Sequence, residues 1–153
     1  MVNLTKLNLL EKSCMACTKC TLSRARKNVV FGRGNPRAEI FIIGEGPGQH
    51  EDEQGLAFVG RAGKMLDKSF LSAGIDTNKD CYISNIIKCR PPENRKPKIV
   101  EVEKCIPWLS SQINLIKPKV IVLAGSTAVQ SYLNINQPIS KIRGNWITKE
   151  GIK

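Results

Sequence analysis

The chain has 153 residues, 41% hydrophobic and 24% charged, which suits a single globular domain over 1–153 and excludes a collagen, a coiled coil and a disordered tail. Lysine and arginine outnumber aspartate and glutamate 24 to 13, a formal charge of +11 that fits either a solvated basic surface or a body that grips a polyanion. No run reaches the roughly 18 apolar residues of a membrane span, and Met1-Val2-Asn3-Leu4-Thr5-Lys6 opens no apolar signal segment, so a cytoplasmic protein with no membrane partner is expected.

Residues 1–37 hold eight bases and one acid, whereas 38–60 hold Glu39, Glu45, Glu51, Asp52 and Glu53 and no base. The basic segment 88–98 follows, with Lys88, Arg90, Arg95, Lys96 and Lys98. An acidic pocket set in a basic body suits an enzyme that holds a polyanion and works at its middle. Of the six cysteines, Cys14, Cys17 and Cys20 stand at two-residue gaps, and Cys81, Cys89 and Cys105 lie far along the chain. A reducing compartment argues against disulfides. The N-terminal run is similar to ferredoxin-type ligation, completed by Cys89 and Cys105; a four-cysteine zinc site competes with it. Cys81, at the start of an apolar run, reads as a buried small hydrophobe.

Three short β-branched runs, Ile40-Phe41-Ile42-Ile43, Tyr82 to Ile87 and Val120-Ile121-Val122-Leu123-Ala124, read as buried parallel strands. After the first, Ala62, Met65, Leu66, Ser69, Phe70 and Ala73 predict one face of a helix that Gly74 ends. After the second comes the stripe Ile99, Val102, Ile106, Leu109, Ile113, Ile116, which Pro107 is expected to kink or split. Cys105 lies beside that stripe, toward the protein. Ser126 is placed to N-cap a third helix carrying Val129 and Leu133, and Trp146-Ile147 with Gly151-Ile152-Lys153 reads as the approach to a fourth strand. Alternating strands and helices predict a three-layer α/β fold with a small, mostly parallel central sheet.

In such sheets ligands bind at the carboxyl ends of the strands. The first strand runs into Gly44-Glu45-Gly46-Pro47-Gly48, then Glu51-Asp52, Gly55 and Phe58-Val59-Gly60. The third glycine of a dinucleotide fingerprint is missing and no Gly-Lys-Ser/Thr follows. Glycines around one carboxylate let the backbone approach a flat ligand, on which Phe58 can stack. The second strand ends in Ser84-Asn85 and Lys88-Cys89-Arg90-Pro91-Pro92. The Asn85 amide can read the polar edge of a base, and a structural turn role is its alternative. His50 reads as an exposed loop side chain.

These two segments resemble the signature motifs of the family 4, iron–sulfur uracil-DNA glycosylases. Val29-Val30-Phe31-Gly32 with Gly34-Asn35-Pro36, Asn94-Arg95 with Pro97, and Arg143-Gly144-Asn145-Trp146 extend the likeness from about residue 14 to 153. The resemblance implies an α/β/α uracil-DNA glycosylase fold, a DNA-repair hydrolase that flips uracil out of DNA and cleaves its N-glycosidic bond, and a 4Fe–4S cluster. The family's Cys-x2-Cys-x-Leu spacing assigns Cys17 and Cys20 as ligands, with Cys89 and Cys105 as the other two and Cys14 and Cys81 left free. The resemblance places Phe58 against the base, Asn85 at its Watson–Crick edge, and Glu45, Gly46 and Pro47 at the pocket floor. Glu45 and Glu51 are the two carboxylates able to orient water or favour the sugar cation. Flipping costs a few kcal/mol, and segments 24–37 and 88–98 are the candidates for phosphate contacts.

Expected partners are uracil-containing DNA, single- or double-stranded, and a sliding clamp, with the chain itself a monomer. The family also carries a His-Pro motif after a fourth strand. The sole histidine here is His50, and Lys153 stands where that strand is expected to begin, so the reading is of a chain cut short before this motif. One such donor is worth about 100- to 1000-fold in rate. Two alternatives stand beside the glycosylase: an iron–sulfur DNA- or nucleotide-binding module of the same fold without catalysis, and a four-cysteine zinc domain.

Overall fold

Residues 2–153 are described by a computed structural model. In chain order the elements are α1 (Leu4–Met15), β1 (Arg33–Gly34), β2 (Ile40–Gly44), α2 (Gln49–Gln54), α3 (Arg61–Ser72), β3 (Cys81–Asn85), α4 (Ile99–Ile116), β4 (Val120–Leu123), α5 (Ser126–Leu133) and α6 (Ile139–Ile142), with short 3₁₀ turns at Thr21–Arg24 and Pro92–Asn94. The four strands form one sheet in the order β1-β3-β2-β4. β2 pairs in parallel with β3, Ile40 opposite Cys81 through Gly44 opposite Asn85, and with β4, Ile40 opposite Val120 through Ile43 opposite Leu123. β1 is antiparallel to β3.

Side chains alternate across the sheet and separate two cores. Phe41, Ile43, Tyr82, Ile121 and Leu123 pack with α1, α4 and α5 residues such as Leu7, Leu109, Ile113 and Ala128. Ile40, Ile42, Cys81, Ile83 and Val122 face the other way, against Leu66 and Phe70 of α3. This is the expected α/β/α sandwich with a mostly parallel sheet. Because β2 and β3 end side by side at Gly44 and Asn85, the two motif-bearing loops leave the sheet at one place.

Four local expectations change. Pro107 lies inside a helix that runs unbroken over Ile99–Ile116; the ring removes one N–H, while Leu109, Ile113 and Ile116 keep the following turns anchored in the core. The inward face of α3 is Gly63, Leu66, Asp67 and Phe70 rather than the face through Ala62, Met65 and Ser69, and Met65 is 64% exposed. Gly63 hides the register from a hydrophobicity pattern: a Cβ there would fall 1.9 Å from the Phe58 carbonyl oxygen, so only glycine lets the preceding loop lie on the helix. The cap of α5 is Gly125, with Ser126 its first helical residue. Trp146 and Ile147 form no strand; instead the Lys153 N–H donates to the Lys119 carbonyl at 3.3 Å and the Ile121 N–H donates to the Lys153 carbonyl at 2.7 Å, a parallel bridge on the outer edge of β4. No helix among the described residues is long and apolar enough to cross a membrane.

Candidate functional site

At the carboxyl ends of β2 and β3 lies a cavity of about 530 Å³, lined by Glu45, Gly46, Pro47, Glu51, Phe58 and Asn85 among others. That volume lies within the range of small-molecule pockets. It gathers every pocket residue expected from the sequence. Asn85 ends β3, is 1% exposed, and its Oδ1 has no hydrogen-bond partner among the described residues. A buried amide oxygen without a partner costs roughly 1–3 kcal/mol unless a ligand completes it. Phe58 lies across from it: an ideal Cβ on Gly44 would come within 2.4 Å of Phe58 Cζ and 2.6 Å of Asn85 Oδ1, so the glycine admits ring and amide at one spot.

Phe58 holds a φ of 55°, a left-handed backbone unusual outside glycine. Arg33 fixes it. The guanidinium donates from Nε to the Ala57 carbonyl at 2.7 Å and from Nη2 to the Phe58 carbonyl at 3.2 Å and to Asp67 Oδ1 at 2.8 Å, and Asp67 also accepts from Thr77 Oγ1 at 2.6 Å. The sequence reading gave Arg33 to a phosphate-facing segment. It is instead an internal clamp, its side chain only 10% exposed.

The two carboxylates differ. Glu51, expected as one of two groups able to orient water, spends both oxygens on backbone: Oε1 accepts from the N–H groups of Val59 at 3.0 Å and Gly60 at 2.7 Å, and Oε2 from Gly48 at 3.1 Å. It therefore ties the start of α2 to the Phe58 loop. Asp52 does likewise for the N-terminal segment, accepting from the Lys27 and Asn28 N–H groups at 2.9 and 3.1 Å. Among the described residues the Glu45 carboxylate has one partner, the Thr127 hydroxyl at the start of α5, and Glu45 is one of the residues lining the cavity. Of the five acids in 38–60, Glu51 and Asp52 are thus loop braces, Glu39 and Glu53 pair with Lys119 and Lys27 at the surface, and Glu45 stands at the cavity.

A second hollow lies behind the β3–α4 loop. Cys14, Cys17, Cys20, Cys89 and Cys105 all line it, with Arg26, Lys88 and Trp108. Cys14 continues the inward stripe Leu7, Leu10, Cys14 of α1 and is fully buried, whereas Cys17 and Cys20 follow the helix and are half-buried. Cys81 lies in the other core, on the far face of the sheet. Burial raises the Cys14 thiol to about 12 and Cys105 to about 11, and raises Cys89 against the pull of Arg26. Arg26 Nη1 donates to Cys89 Sγ at 3.3 Å and the Lys88 N–H to Cys105 Sγ at 3.2 Å. The buried Trp108 Nε1 has no partner among the described residues. Among those residues no three His, Cys, Asp or Glu side chains converge on one point as a single-ion site requires.

Lys88 was expected to face phosphate. It is 1% exposed, its Nζ donating to Ser84 Oγ, to the Asn85 carbonyl at 2.8 Å and to Gln112 Oε1 at 2.7 Å. Burial pulls the amine down to about 8, with the Cys105, Cys14 and Cys89 thiols opposing. This network joins the strand end that carries Asn85 to the wall of the thiol hollow. Arg95 is likewise committed, paired with the buried Glu101 at 2.7 Å.

Residues 31–151 match the model of the uracil DNA glycosylase superfamily. The chain is 43% identical over 142 residues to the type-4 uracil-DNA glycosylase of Archaeoglobus fulgidus, an alignment covering 90% of this chain and 71% of that protein. It is 42% identical over 140 residues to the type-4 uracil-DNA glycosylase of Thermotoga maritima, covering 91% and 72%. For the type-4 uracil-DNA glycosylase of Saccharolobus solfataricus the identity is 42% over 147 residues, covering 93% and 68%.

Proposed function

The chain belongs to the uracil-DNA glycosylase superfamily, alongside its type-4 enzymes, and from that membership we infer that it hydrolyses the N-glycosidic bond of uracil in DNA, releasing uracil and leaving an abasic site for base-excision repair. The observation that carries this reading is Asn85: a buried amide whose oxygen lacks a partner, beside the Phe58 ring, in the cavity at the carboxyl ends of β2 and β3. A flipped uracil stacks on Phe58 and offers its N3–H to Asn85 Oδ1, while the amide N–H₂ faces O4. The backbone at Glu45, Gly46 and Pro47 closes the floor.

Breaking the C1′–N1 bond sends the electron pair to uracil and leaves an oxocarbenium-like sugar. Asn85 supports the developing negative charge on the base. Glu45 is the carboxylate that favours the cation and takes the proton of the water adding at C1′. Glu51 is a positioning residue that holds the loops carrying Phe58 and Gly48. Arg33 serves the same end, so Arg33→Gln is expected to lower the rate on a uracil-containing oligonucleotide about 10- to 100-fold by releasing the Phe58 loop. Initial rates of the variant against wild type measure it, and an unchanged rate removes Arg33 from the account.

The reading assigns the 4Fe–4S cluster implied by the family to the second hollow, and the five cysteines that line it support the assignment. Five cysteines around one hollow are enough to supply the four thiolates that such a cluster takes. Cys17, Cys20, Cys89 and Cys105 are the proposed ligands, and Cys14 packs as the inward residue of α1. Arg26 and Lys88 place positive charge beside the thiolates, and Trp108 Nε1–H is a free donor on the same wall. When bound, the cluster supplies a staple between the N-terminal segment and the β3–α4 loop. Six free thiols suit a reducing, cytoplasmic setting.

The test is incubation of the anaerobically purified chain with a single-stranded oligonucleotide holding one uracil, then hot alkali. Strand scission at uracil, absent when thymine replaces it, is expected. No scission from folded protein overturns the reading.

A further inference from the structure

The face of α3 that looks away from the core carries Arg61, Lys64 and Lys68, at steps of three and four residues, so the three cations share one side of the helix. Their side is opposed to the buried face of Gly63, Leu66 and Phe70. With His50 and Gln54 of α2 they line a shallow groove of about 460 Å³ that contains no carboxylate. The groove is continuous with the uracil pocket, since His50, Gly60 and Arg61 line both.

Among the described residues none of these three cations has an acidic partner, although Arg33, Lys27, Lys79, Arg95 and Lys119 are all paired. The acids nearest in sequence are turned elsewhere: Asp67 to Arg33, Glu51 to backbone N–H groups, and Glu53 to Lys27 and Gln49. Such unscreened like charge in a groove is unfavourable to the free protein, and an anion relieves it.

We propose that this groove, with Arg61, Lys64 and Lys68 as its cations, holds the phosphodiester backbone of the strand that delivers the flipped nucleotide. The proposal rests on the glycosylase reading and deepens it, because it adds the outer face of α3 to segments 24–37 and 88–98, where Arg33, Lys88 and Arg95 are internally committed and Arg24, Arg37, Lys96 and Lys98 stay exposed. Seven helical residues rise about 10 Å, which is two to three nucleotides of strand at roughly 3.4 Å each. Arg61, at the pocket mouth, takes the phosphate next to the flipped nucleotide, and Lys64 and Lys68 take those further along.

The experiment compares wild type, the triple variant Arg61→Gln/Lys64→Gln/Lys68→Gln, and a control, Lys6→Gln/Lys12→Gln, on the exposed side of α1. Binding of a fluorescent single-stranded oligonucleotide containing one uracil is measured over a salt series, with excision rates beside it. Three lost phosphate contacts are expected to flatten the slope of log affinity against log salt by about 2. Affinity at low salt should fall about 10- to 100-fold, with KM raised in step, while the control keeps the wild-type slope. An unchanged slope in the triple variant overturns the proposal, as does an equal flattening in the control. Wild type that neither binds nor excises overturns the glycosylase reading itself, an outcome distinct from an active wild type with an indifferent triple variant. The substituted side chains are exposed, and coincident thermal unfolding checks that the variants are folded.

Discussion

Replacing Asn85 by alanine is expected to lower uracil excision about 100- to 1000-fold without weakening the fold. The reason lies in what the amide does before substrate arrives. Its oxygen is buried at the end of β3 and makes no hydrogen bond within the protein, so its removal forfeits none in the free state. The bound state loses both the reading of the uracil edge and a donor to the charge that develops as the glycosidic bond breaks. Sites built to hydrogen-bond a substrate group discriminate strongly, because the mismatch leaves buried polar atoms unpaired. Single-turnover rates of Asn85→Ala measure the effect, and a thermal unfolding midpoint within a few degrees of wild type separates it from misfolding. A variant as fast as wild type would mean that Asn85 is a turn residue and that the base is read elsewhere.

The second large effect concerns the thiols. Cys89→Ala is expected to abolish iron binding and the broad violet absorbance of an iron–sulfur protein, and to lower the unfolding midpoint by about 10 °C or more. Cys14→Ala should keep both iron and colour. Cys89 stands where the N-terminal segment, through Arg26, meets the loop that leads into α4, through Lys88 and Cys105. The segment between α1 and β1 is held at its C-terminal end, by buried Val29, Val30 and Phe31, the Asp52 brace, the Val30 N–H on the Lys88 carbonyl and the Phe31 carbonyl accepting from Ser84 and Gln112, whereas the stretch around Cys17 and Cys20 has Leu22 as its buried anchor. A metal centre that closes such a long loop contributes folding free energy directly, and roughly 3 kcal/mol corresponds to about 10 °C in a chain of this size. Cys14 is placed by helix packing, following Leu7 and Leu10, and alanine there leaves only a small cavity. Iron analysis with absorbance spectra decides the matter: loss of iron in Cys14→Ala with retention in Cys17→Ser would exchange their roles.

Much of the architecture is legible because parallel strands are written as uninterrupted β-branched runs, although β4, expected to be buried, lies at the sheet's edge and is half-buried throughout. Ile40–Ile43, Tyr82 onward and Val120–Leu123 gave three strands and, with the helices between them, the layering. The two-residue β1 has no such signature, since Arg33 and Gly34 pair with β3 only because the chain is led past it. The inward face of α3 was misread because its closest contact is made by Gly63, which a hydrophobic periodicity counts as nothing.

The candidate site divides in the same way. Phe58, Asn85 and the Gly44–Gly48 turn belong to two continuous motifs, so they can be singled out from sequence, and the fold brings them to one cavity. Lys88, Arg33 and Glu51 were assigned to phosphate or water because charge in a sequence reads as surface. Their partners, Gln112 for Lys88, Asp67 for Arg33 and the Val59 and Gly60 amides for Glu51, are far along the chain or on another loop, and only the fold brings them together. The unpaired cations of α3 are hidden in the sequence for the converse reason. They are spread through a helix rather than gathered in a run, and their lack of partners is visible only in three dimensions.

The most direct test of the whole account is chromatographic measurement of free uracil released from a uracil-containing single strand, by wild type and Asn85→Ala side by side. Wild type is expected to release uracil from the uracil strand alone, and the variant to do so about 100- to 1000-fold more slowly. Absence of free uracil with folded wild type, or equal release by both proteins, would contradict it.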